Sequence, residues 1–263
     1  MSFTCIELTI EQGVATLSLN RPDSLNSFTT EMHQEVQQAL SAIQSDRSVR
    51  CLLLTGKGRG FCAGQDLNDS SVDPNAEVVD LGSTIEQYYN PLVRTLRSLS
   101  MPVICAVNGV AAGAGANLAL ACDIVLAARS AKFIQAFCKI GLLPDSGGTW
   151  TLPRLVGGAR AMALSLLGDK VSAEQAEQWG MIWRCVDDAA LMSEATAMAR
   201  YLATQPTQGL AYIKQALQAS STNTLDQQLD LERDLQRLAG RTADYREGIQ
   251  AFFEKRAPQF VGH

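Results

Sequence analysis

From Pro102 to Asp123 the chain reads Pro102-Val-Ile-Cys-Ala-Val-Asn-Gly-Val-Ala-Ala-Gly-Ala-Gly-Ala-Asn-Leu-Ala-Leu-Ala-Cys-Asp123. The pattern predicts a buried strand over Val103 to Val107, a turn at Asn108-Gly109, and a run of Gly and Ala that leads directly into an apolar helix. Side chains almost vanish where that helix begins. A helix start has backbone N–H groups without intrahelical partners, so a start free of bulky side chains lets a ligand oxygen reach them. One reading is half of an oxyanion hole. The other is that small residues let this helix pack tightly on a neighbour. By itself the stretch favours the second.

The rest of the chain narrows the setting. With 263 residues, 46% hydrophobic and 19% charged, there is material for one large or two small domains with a substantial core. No apolar run approaches the ~20 residues that span a bilayer, and the N-terminal residues lack a basic segment followed by an apolar one. We therefore expect a cytoplasmic protein without membrane contact. A net charge of −5 argues against broad nucleic-acid binding, while leaving room for a local basic patch against a phosphorylated ligand. The seven cysteines (Cys5, Cys51, Cys62, Cys105, Cys122, Cys138, Cys185) are odd in number, contain no C-x-x-C, and mostly sit in apolar segments. That predicts reduced thiols rather than disulfides or zinc. Only His33 and His263 are available, so a metal site or a Ser-His-Asp triad has little to build on. Both histidines read as incidental.

Taken in order, Ile6 to Ile10 and Val14 to Leu19 alternate as strands joined at Gln12-Gly13. A helix is predicted from about Thr30 to Gln44, with Met32, Val36, Leu40 and Ile43 on one face. Cys51 to Thr55 is a short buried strand, followed by the Gly-rich loop Gly56 to Asp66. Asn68 to Leu81 is polar and reads as a mobile loop. A helix from about Thr84 to Leu99 is expected to be interrupted or kinked near Asn90-Pro91. Strands follow at Ile124 to Ala128 and Lys132 to Ile134, then a turn at Gly141 to Gly148 that opens another helix, with Ala159 to Leu167 helical as well. Ser172-Ala-Glu-Gln175 has the form of a capping box whose helix stops at Gly180, and Ile182 to Val186 is the last strand. Beyond it the pattern is helical over about Ala189 to Ala203, Thr207 to Ala219, Thr224 to Leu238 and Thr242 to Arg256. The expectation is an α/β core over residues 1–200 and a helical C-terminal region over 201–263. A strand–loop–helix unit recurs, each time with Gly and Ala just after the strand.

Several motifs bear on chemistry. Gly58-Arg-Gly-Phe-Cys-Ala63 satisfies the dinucleotide-loop pattern G-x-G-x-x-A, but it lies far from the chain start and does not obviously open a helix. Neither G-x-S-x-G nor a Walker A lysine occurs. Gln65 follows Ala63-Gly64 in a small-residue turn after a strand, a place that presents a backbone N–H outward. Paired with a donor from the stretch described first, it would give two N–H groups to one thioester oxygen, each worth roughly 10²–10³ in rate. A turn with nothing bound is the alternative. Asp145, in Pro144-Asp-Ser-Gly-Gly148, is in isolation best read as a helix N-cap, a role Ser146 fills equally well. Its neighbours Ile140, Leu142, Leu143 and Trp150 are apolar, however, and would raise its pKa towards values useful for moving a proton.

Together, Phe61-Cys-Ala-Gly-Gln-Asp-Leu67 and Asn108-Gly-Val-Ala-Ala-Gly-Ala-Gly115 resemble the paired signatures of the crotonase (enoyl-CoA hydratase/isomerase) superfamily. Asn20-Arg-Pro-Asp-Ser-Leu-Asn26, Gly141 to Thr149, and Ser172 to Met181 resemble further landmarks of it, so the likeness covers essentially the whole chain. The resemblance implies a spiral core of repeated ββα units, a helical C-terminal trimerisation region, and a homotrimer or dimer of trimers. It implies no permanently bound cofactor and a substrate carried as a coenzyme A thioester. Carried over by residue, the oxyanion donors are the backbone N–H groups of Gln65 and Ala114. Ser24, Leu25, Ala63, Gly64, Gln65, Asp66 and Leu67 line the coenzyme A path, and Lys255 reaches a phosphate of it from this or a neighbouring subunit.

Departures from the family pattern set the expected reaction. Hydratases of the superfamily carry two glutamates where this chain has Asn117 and Phe137. Neither residue can act as an acid or base, which disfavours addition of water. Asp145 remains, at the position that carries an aspartate in the superfamily's dienoyl-CoA isomerases. Segments Phe61 to Asn68, Val110 to Ala116, Pro144 to Trp150 and Thr224 to Asp234 most resemble the branch that isomerises ring-epoxidised arylacetyl-CoA thioesters in phenylacetate degradation. The implied reaction is an α-to-γ proton shift by Asp145 through a stabilised enolate. The alternatives are a Δ3,Δ2-enoyl-CoA isomerase or hydratase acting on aliphatic chains, and a non-catalytic acyl-CoA-binding protein. Phe133, Phe137 and Trp150 are candidates for the wall around an aromatic ring.

Overall fold

A computed structural model describes residues 3–69 and 80–263. The chain begins with an antiparallel hairpin, β1 (Ile6–Glu11) and β2 (Val14–Leu19). Gln12 and Gly13 both have positive φ, at 52° and 78°, the turn whose twist suits a two-residue hairpin. Helix α1 (Thr30–Ser45) follows, with the Thr29 hydroxyl accepting the Met32 N–H as its cap. Next come β3 (Cys51–Gly56), β4 (Gly60–Cys62), α2 (Leu81–Thr84) and α3 (Asn90–Ser98). A single wide i→i+5 turn, Ile85–Tyr89, joins the two helices. The chain continues through β5 (Val103–Val107), β6 (Val110–Ala112), α4 (Ala114–Leu120), β7 (Ile124–Ala128) and β8 (Lys132–Ile134). Then follow α5 (Gly148–Leu167), β9 (Lys170–Ser172), α6 (Ala173–Gln178), β10 (Arg184–Val186) and α7 (Leu191–Ala203). The last helices are α8 (Thr207–Ala219), α9 (Leu225–Ala239) and α10 (Ala243–Glu254).

The strands form two sheets, one ordered β1-β2-β3-β5-β7-β10 and one ordered β4-β6-β8-β9. Each of β3, β5 and β7 is followed by a three-residue strand in the second sheet and then by a helix. This is the recurring ββα unit. In the larger sheet every neighbouring pair but β1 with β2 is parallel. Both faces of its centre are covered, which is why β3 and β5 are buried along their whole length and show no alternation. Helix α7 lies across β3, β5 and β7 through Leu191, Ala195, Ala199 and Ala203, spaced four apart.

Helix α8 is fastened to this core by Lys214, which pairs with Asp123 at 2.8 Å and donates to the Leu96 carbonyl at 3.0 Å. Arg50, at the entry to β3, donates to the carbonyls of Gln205 and Phe260 and to the Thr207 hydroxyl. The C-terminal residues turn back onto α10, where the Asp244 carboxylate accepts the N–H groups of Val261 and Gly262. The His263 carbonyl in turn accepts from Ala243 and Asp244.

Some expectations change. β4 and β6 fall in stretches whose pattern predicts loop, because three residues leave no room for a period of two, and β4 is further interrupted by a register shift. The helix opened by the Gly141–Gly148 turn and the helix over Ala159 to Leu167 form one element, α5, which starts at Gly148 as the turn predicts and is broken only by the non-helical Gly157 (φ 79°, ψ 159°). The interruption expected near Asn90-Pro91 is the wide turn Ile85–Tyr89 just ahead of it, and the α-helix resumes at Asn90, with the proline at a second helical position where it gives up no bond that the wide turn had not already displaced. Residues 70–79 of the polar segment Asn68 to Leu81 lie outside the described residues. His33 is on α1 as expected but is 4% exposed, its ring set among Phe28, Tyr88 and Tyr89. Burial pushes its pKa down to about 4, with Asp69 acting weakly the other way. All seven cysteines are free thiols.

Candidate active site

Three segments far apart in sequence meet on one side of the smaller sheet. The first is the turn after β2, where Leu25 and Asn26 both take positive φ (50° and 56°). That conformation is held by the buried Asn26 side chain, which donates to the carbonyls of Lys57 and Gly60 and accepts the Arg21 N–H. Leu25 is thereby laid against Gly60 of β4, with Ser24 exposed beside it. The second is the loop leaving β4, tied to the first by Ala63 N–H to Leu25 carbonyl (3.0 Å), Phe28 N–H to Gly64 carbonyl (2.7 Å) and Asp66 N–H to Phe28 carbonyl (2.9 Å). These bonds use the amides on either side of Gln65 and leave its own N–H without an acceptor among the described residues.

Helix α4 supplies the third segment. Its cap is Gly113 (φ 54°), with no side-chain capping bond, and the Gly113 N–H goes to the Ile134 carbonyl. The N–H of Ala114, the next residue, has no acceptor among the described residues. Gly115 has to lack a side chain, because a Cβ there would run into the carbonyl and side chain of Cys62. Gly64 (φ 94°) lies so close that a Cβ on it would sit 3.1 Å from the Ala112 oxygen and 3.5 Å from the Ala114 nitrogen. The close-packing reading of the small-residue stretch holds at Gly115, while the Ala114 N–H has no acceptor among the described residues and lies beside the loop that carries the Gln65 N–H.

Asp145 is not the helix cap that its position suggests. The cap of α5 is Gly147 (φ 79°), without any side-chain capping bond, and the Asp145 carbonyl rather than its carboxylate takes the Gly148 N–H at 2.8 Å. Ser146, also at positive φ (50°), turns its hydroxyl back to donate to Asp145 Oδ1 at 2.9 Å. Two successive left-handed residues thus lift the carboxylate off the helix end. Burial raises the Asp145 pKa, and the Ser146 hydroxyl works against it. The source of that burial differs from expectation, since Ile140, Leu142 and Leu143 are 57%, 40% and 73% exposed. The groups beside the Asp145–Gly148 turn are instead the fully buried Asn117 and the Tyr89 ring, whose own pKa registers the Asp145 charge.

Tyr89 carried no sequence signal. It ends the wide turn before α3, is 2% exposed, and donates its hydroxyl to Gln65 Oε1 at 2.8 Å. Burial, with smaller contributions from Cys62 and Asp145, raises its pKa well above the usual phenol value, so it remains a donor. A wide turn of this kind inside a helix frequently marks a functional site, but only coordinates reveal one.

The other expected residues are distributed as follows. Asp66 pairs with Arg21 at 2.9 Å and accepts the Asn68 N–H. Burial alone would raise its pKa, yet the Asn68 N–H and Arg21 hold it below the ordinary range. It therefore shapes the loop from within, while Leu67 beside it is 58% exposed. Lys255 ends α10 in the left-handed region, and no hydrogen bond or ion pair joins it to the loops among the described residues. Of the three aromatic candidates only Phe137 abuts the site, with its ring 3.8 Å from where a Gly113 Cβ would be. Phe133 is core. Trp150 points away, stacked under Arg97 and Arg154 in a cleft against α8. Cys5, Glu31 and Glu35 come within 4.8 Å of one another. Glu35, however, is occupied in accepting the N–H groups of Thr4 and Cys5.

The chain as a whole is similar to known proteins. The sequence model of the enoyl-CoA hydratase/isomerase family matches residues 9–263. The chain is 65% identical over 253 residues to the 1,2-epoxyphenylacetyl-CoA isomerase of Escherichia coli (strain K12), covering 96% of this chain and 97% of that one. It is 46% identical over 262 residues, the full length of both, to a Rhodobacter capsulatus protein named "probable enoyl-CoA hydratase". Among solved structures, the enoyl-CoA hydratase of Bacillus anthracis superposes with a TM-score of 0.91 at 30% identity, covering 99% of this chain and 100% of that one.

Proposed function

The chain belongs to the enoyl-CoA hydratase/isomerase family, and from that premise we propose that it isomerises 2-(1,2-epoxy-1,2-dihydrophenyl)acetyl-CoA to oxepin-CoA in phenylacetate catabolism. The carbon–carbon bond under the epoxide opens by valence rearrangement, giving a seven-membered oxygen heterocycle. A proton leaves the carbon α to the thioester and returns at the γ carbon in the ring, which moves a double bond outside the ring. No atom or electron is gained or lost. Binding takes place at the coenzyme A thioester, with Ser24, Leu25 and Ala63 to Leu67 along the coenzyme A path.

Charge accumulates on the thioester oxygen when the α-proton leaves. The N–H groups of Gln65 and Ala114 are placed for that oxygen, each worth roughly 10²–10³ in rate. Asp145 is the proton carrier. Its burial keeps its basicity above that of a free carboxylate, so it takes the α-proton more readily and gives it back within the same site. The observation that carries this reading is a partly buried carboxylate that its turn does not use as a cap, beside loops presenting two N–H donors that have no acceptor among the described residues. Where the family's hydratases carry glutamates, Asn117 and Phe137 offer neither an acid nor a base.

The same donors and carboxylate would shift the double bond of an aliphatic 3-enoyl-CoA. Turnover of the epoxide thioester, a 3-enoyl-CoA and crotonyl-CoA on one preparation separates these readings. Turnover of none of the three, with tight thioester binding, would mark a non-catalytic binder. Asp145→Asn should lose conversion of the epoxide thioester by about 10³-fold or more, a proton-transfer loss at the upper end of the usual range, while binding it within a few fold. Full activity in that variant would refute the assignment.

The assembly belongs to the same proposal. Ile213, Leu217, Leu225, Leu229, Phe252 and Phe253 leave broad apolar faces on α8, α9 and α10 exposed in the single chain. Their burial between copies in a homotrimer, or a dimer of trimers, would bring Lys255 to a coenzyme A phosphate across a subunit boundary. The reaction needs no permanently bound cofactor and takes place in the cytoplasm. Among the described residues, no helix is long and apolar enough to cross a membrane.

A further inference from the structure

We infer that Asn117 and Gln135 form a buried amide relay that positions Asp145, with Asn117 as a positioning residue for the proton transfer. The inference rests on the reading of Asp145 as the proton carrier. Asn117, on α4, is 1% exposed and donates its Nδ2–H to the Asp145 carbonyl at 2.8 Å. Gln135, at the end of β8, is 3% exposed and donates its Nε2–H to Asn117 Oδ1 at 2.8 Å.

The direction of both amides follows from their partners. The Asp145 carbonyl can only accept, so Asn117 must offer it nitrogen and turn its oxygen towards Gln135. Gln135 must then donate as well. Its own oxygen, Oε1, is buried without a partner among the described residues. An unsatisfied buried acceptor is destabilising, so Gln135 is not oriented by contacts of its oxygen. The bond to Asn117 orients it.

The relay acts where the backbone needs holding. Ser146 and Gly147 both lie at positive φ (50° and 79°), and left-handed conformation is unfavourable for a serine. The Asp145 peptide is fixed just ahead of them by two donors, Gly148 N–H and Asn117 Nδ2–H. Gly148 must lack a side chain for Asn117 to reach, because a Cβ there would run into the Asn117 amide. An amide at position 117 therefore does what a glutamate cannot at neutral pH. It donates to the peptide that carries the catalytic carboxylate, where an ionised acid only accepts.

The test compares wild type, Asn117→Ala, Gln135→Met and Asp145→Asn with the epoxide thioester. Asn117→Ala should lower kcat at least tenfold with KM within twofold. The acid limb of its kcat/KM profile should move to lower pH, because water entering beside Asp145 relieves the burial that raises its pKa. Tyr89 is the titratable group facing Asp145 from the turn before α3, and it stays neutral across that range. Gln135→Met should shift kcat and the acid limb in the same directions by a smaller factor, since Asn117 keeps its bond to Asp145 but loses its orienting donor. If Asn117→Ala does not fold, by melting temperature and thioester binding, Gln135→Met decides. Unchanged kcat and acid limb in the folded variants, with Asp145→Asn inactive, would overturn the relay alone. An active Asp145→Asn would overturn the underlying reading instead.

Discussion

Replacing Gly64 with alanine tests the placement of the Gln65 donor with a single methyl group. Gly64 sits at φ 94°, where an L-residue is strained by roughly 1–3 kcal/mol. The added Cβ would also lie 3.1 Å from the Ala112 carbonyl oxygen, tighter than ordinary contact. Strain and contact relax together if the loop backs away from α4. The bonds from Phe28 N–H to Gly64 and from Asp66 N–H to Phe28 hold the far side of that loop, so the movement falls on the peptide that carries the Gln65 N–H. The variant should therefore lose about 1–3 kcal/mol of stability. Its kcat should fall by about 10²–10³, the value of one donor. The distinguishing assay is the carbonyl stretch of a bound thioester, followed by isotope-edited vibrational spectroscopy. Polarisation by two donors moves the band to lower frequency, and Gly64→Ala should return part of that shift. A folded Gly64→Ala enzyme with wild-type kcat and an unshifted band would refute the two-donor geometry.

The pKa shifts make two further predictions about stability. Asp145 has a raised folded pKa, so between the ordinary carboxylate value and the raised one the native state holds the proton that the unfolded chain has released. Stability falls as pH rises through that window, and the loss persists at neutrality. Asp145→Asn should consequently melt higher than wild type at pH 7, with the difference closing in acid; an unchanged or lower melting temperature at pH 7 would count against the buried carboxylate. His33 has the opposite sign. Its pKa is lowered from 6.5 to about 4, so stability is lost as pH falls through that interval, by on the order of 3 kcal/mol at most. His33→Phe, which suits the surrounding Phe28, Tyr88 and Tyr89 rings, should flatten the denaturant midpoint between pH 6.5 and pH 4, and an unaltered acid slope would contradict it.

What the sequence made readable follows from how local each determinant is. Ser172 and Gln175 cap α6 reciprocally, as their spacing predicts, and Gly180 (φ 72°) ends the segment. Such features depend on residues a turn apart. β4 and β6 depend on pairing between segments some fifty residues apart, and three residues cannot advertise that. The same limit governs the site. The paired signatures around Gln65 and Ala114 are legible as motifs, yet their approach is enforced by the buried Asn26 amide and by the absence of a Cβ at Gly64 and Gly115. Asp145 was readable as a residue but not as a conformation. The carboxylate, left to local rules, would cap α5, and two left-handed residues after it prevent that. Trp150 misleads for a related reason: five residues beyond Asp145 and already on α5, it is carried to the opposite side.

In the proposed reaction, helix α4 connects the two halves of the chemistry: the proposed thioester donor is the Ala114 N–H, and Asn117, three residues on, donates its side-chain N–H to the carbonyl of Asp145, the proposed proton carrier. Three residues of helix are a rise of about 4.5 Å, and residues so spaced share a face. The separation between the stabilised oxygen and the base is thereby set by less than one turn of a fully buried helix, not by two independent loops. A glutamate at position 117 would deliver its own proton at that distance. An asparagine there has no such proton, and in the proposed relay it holds the Asp145 peptide instead, so a single residue identity accounts both for the missing hydratase acid and for the placement of the proposed isomerase base.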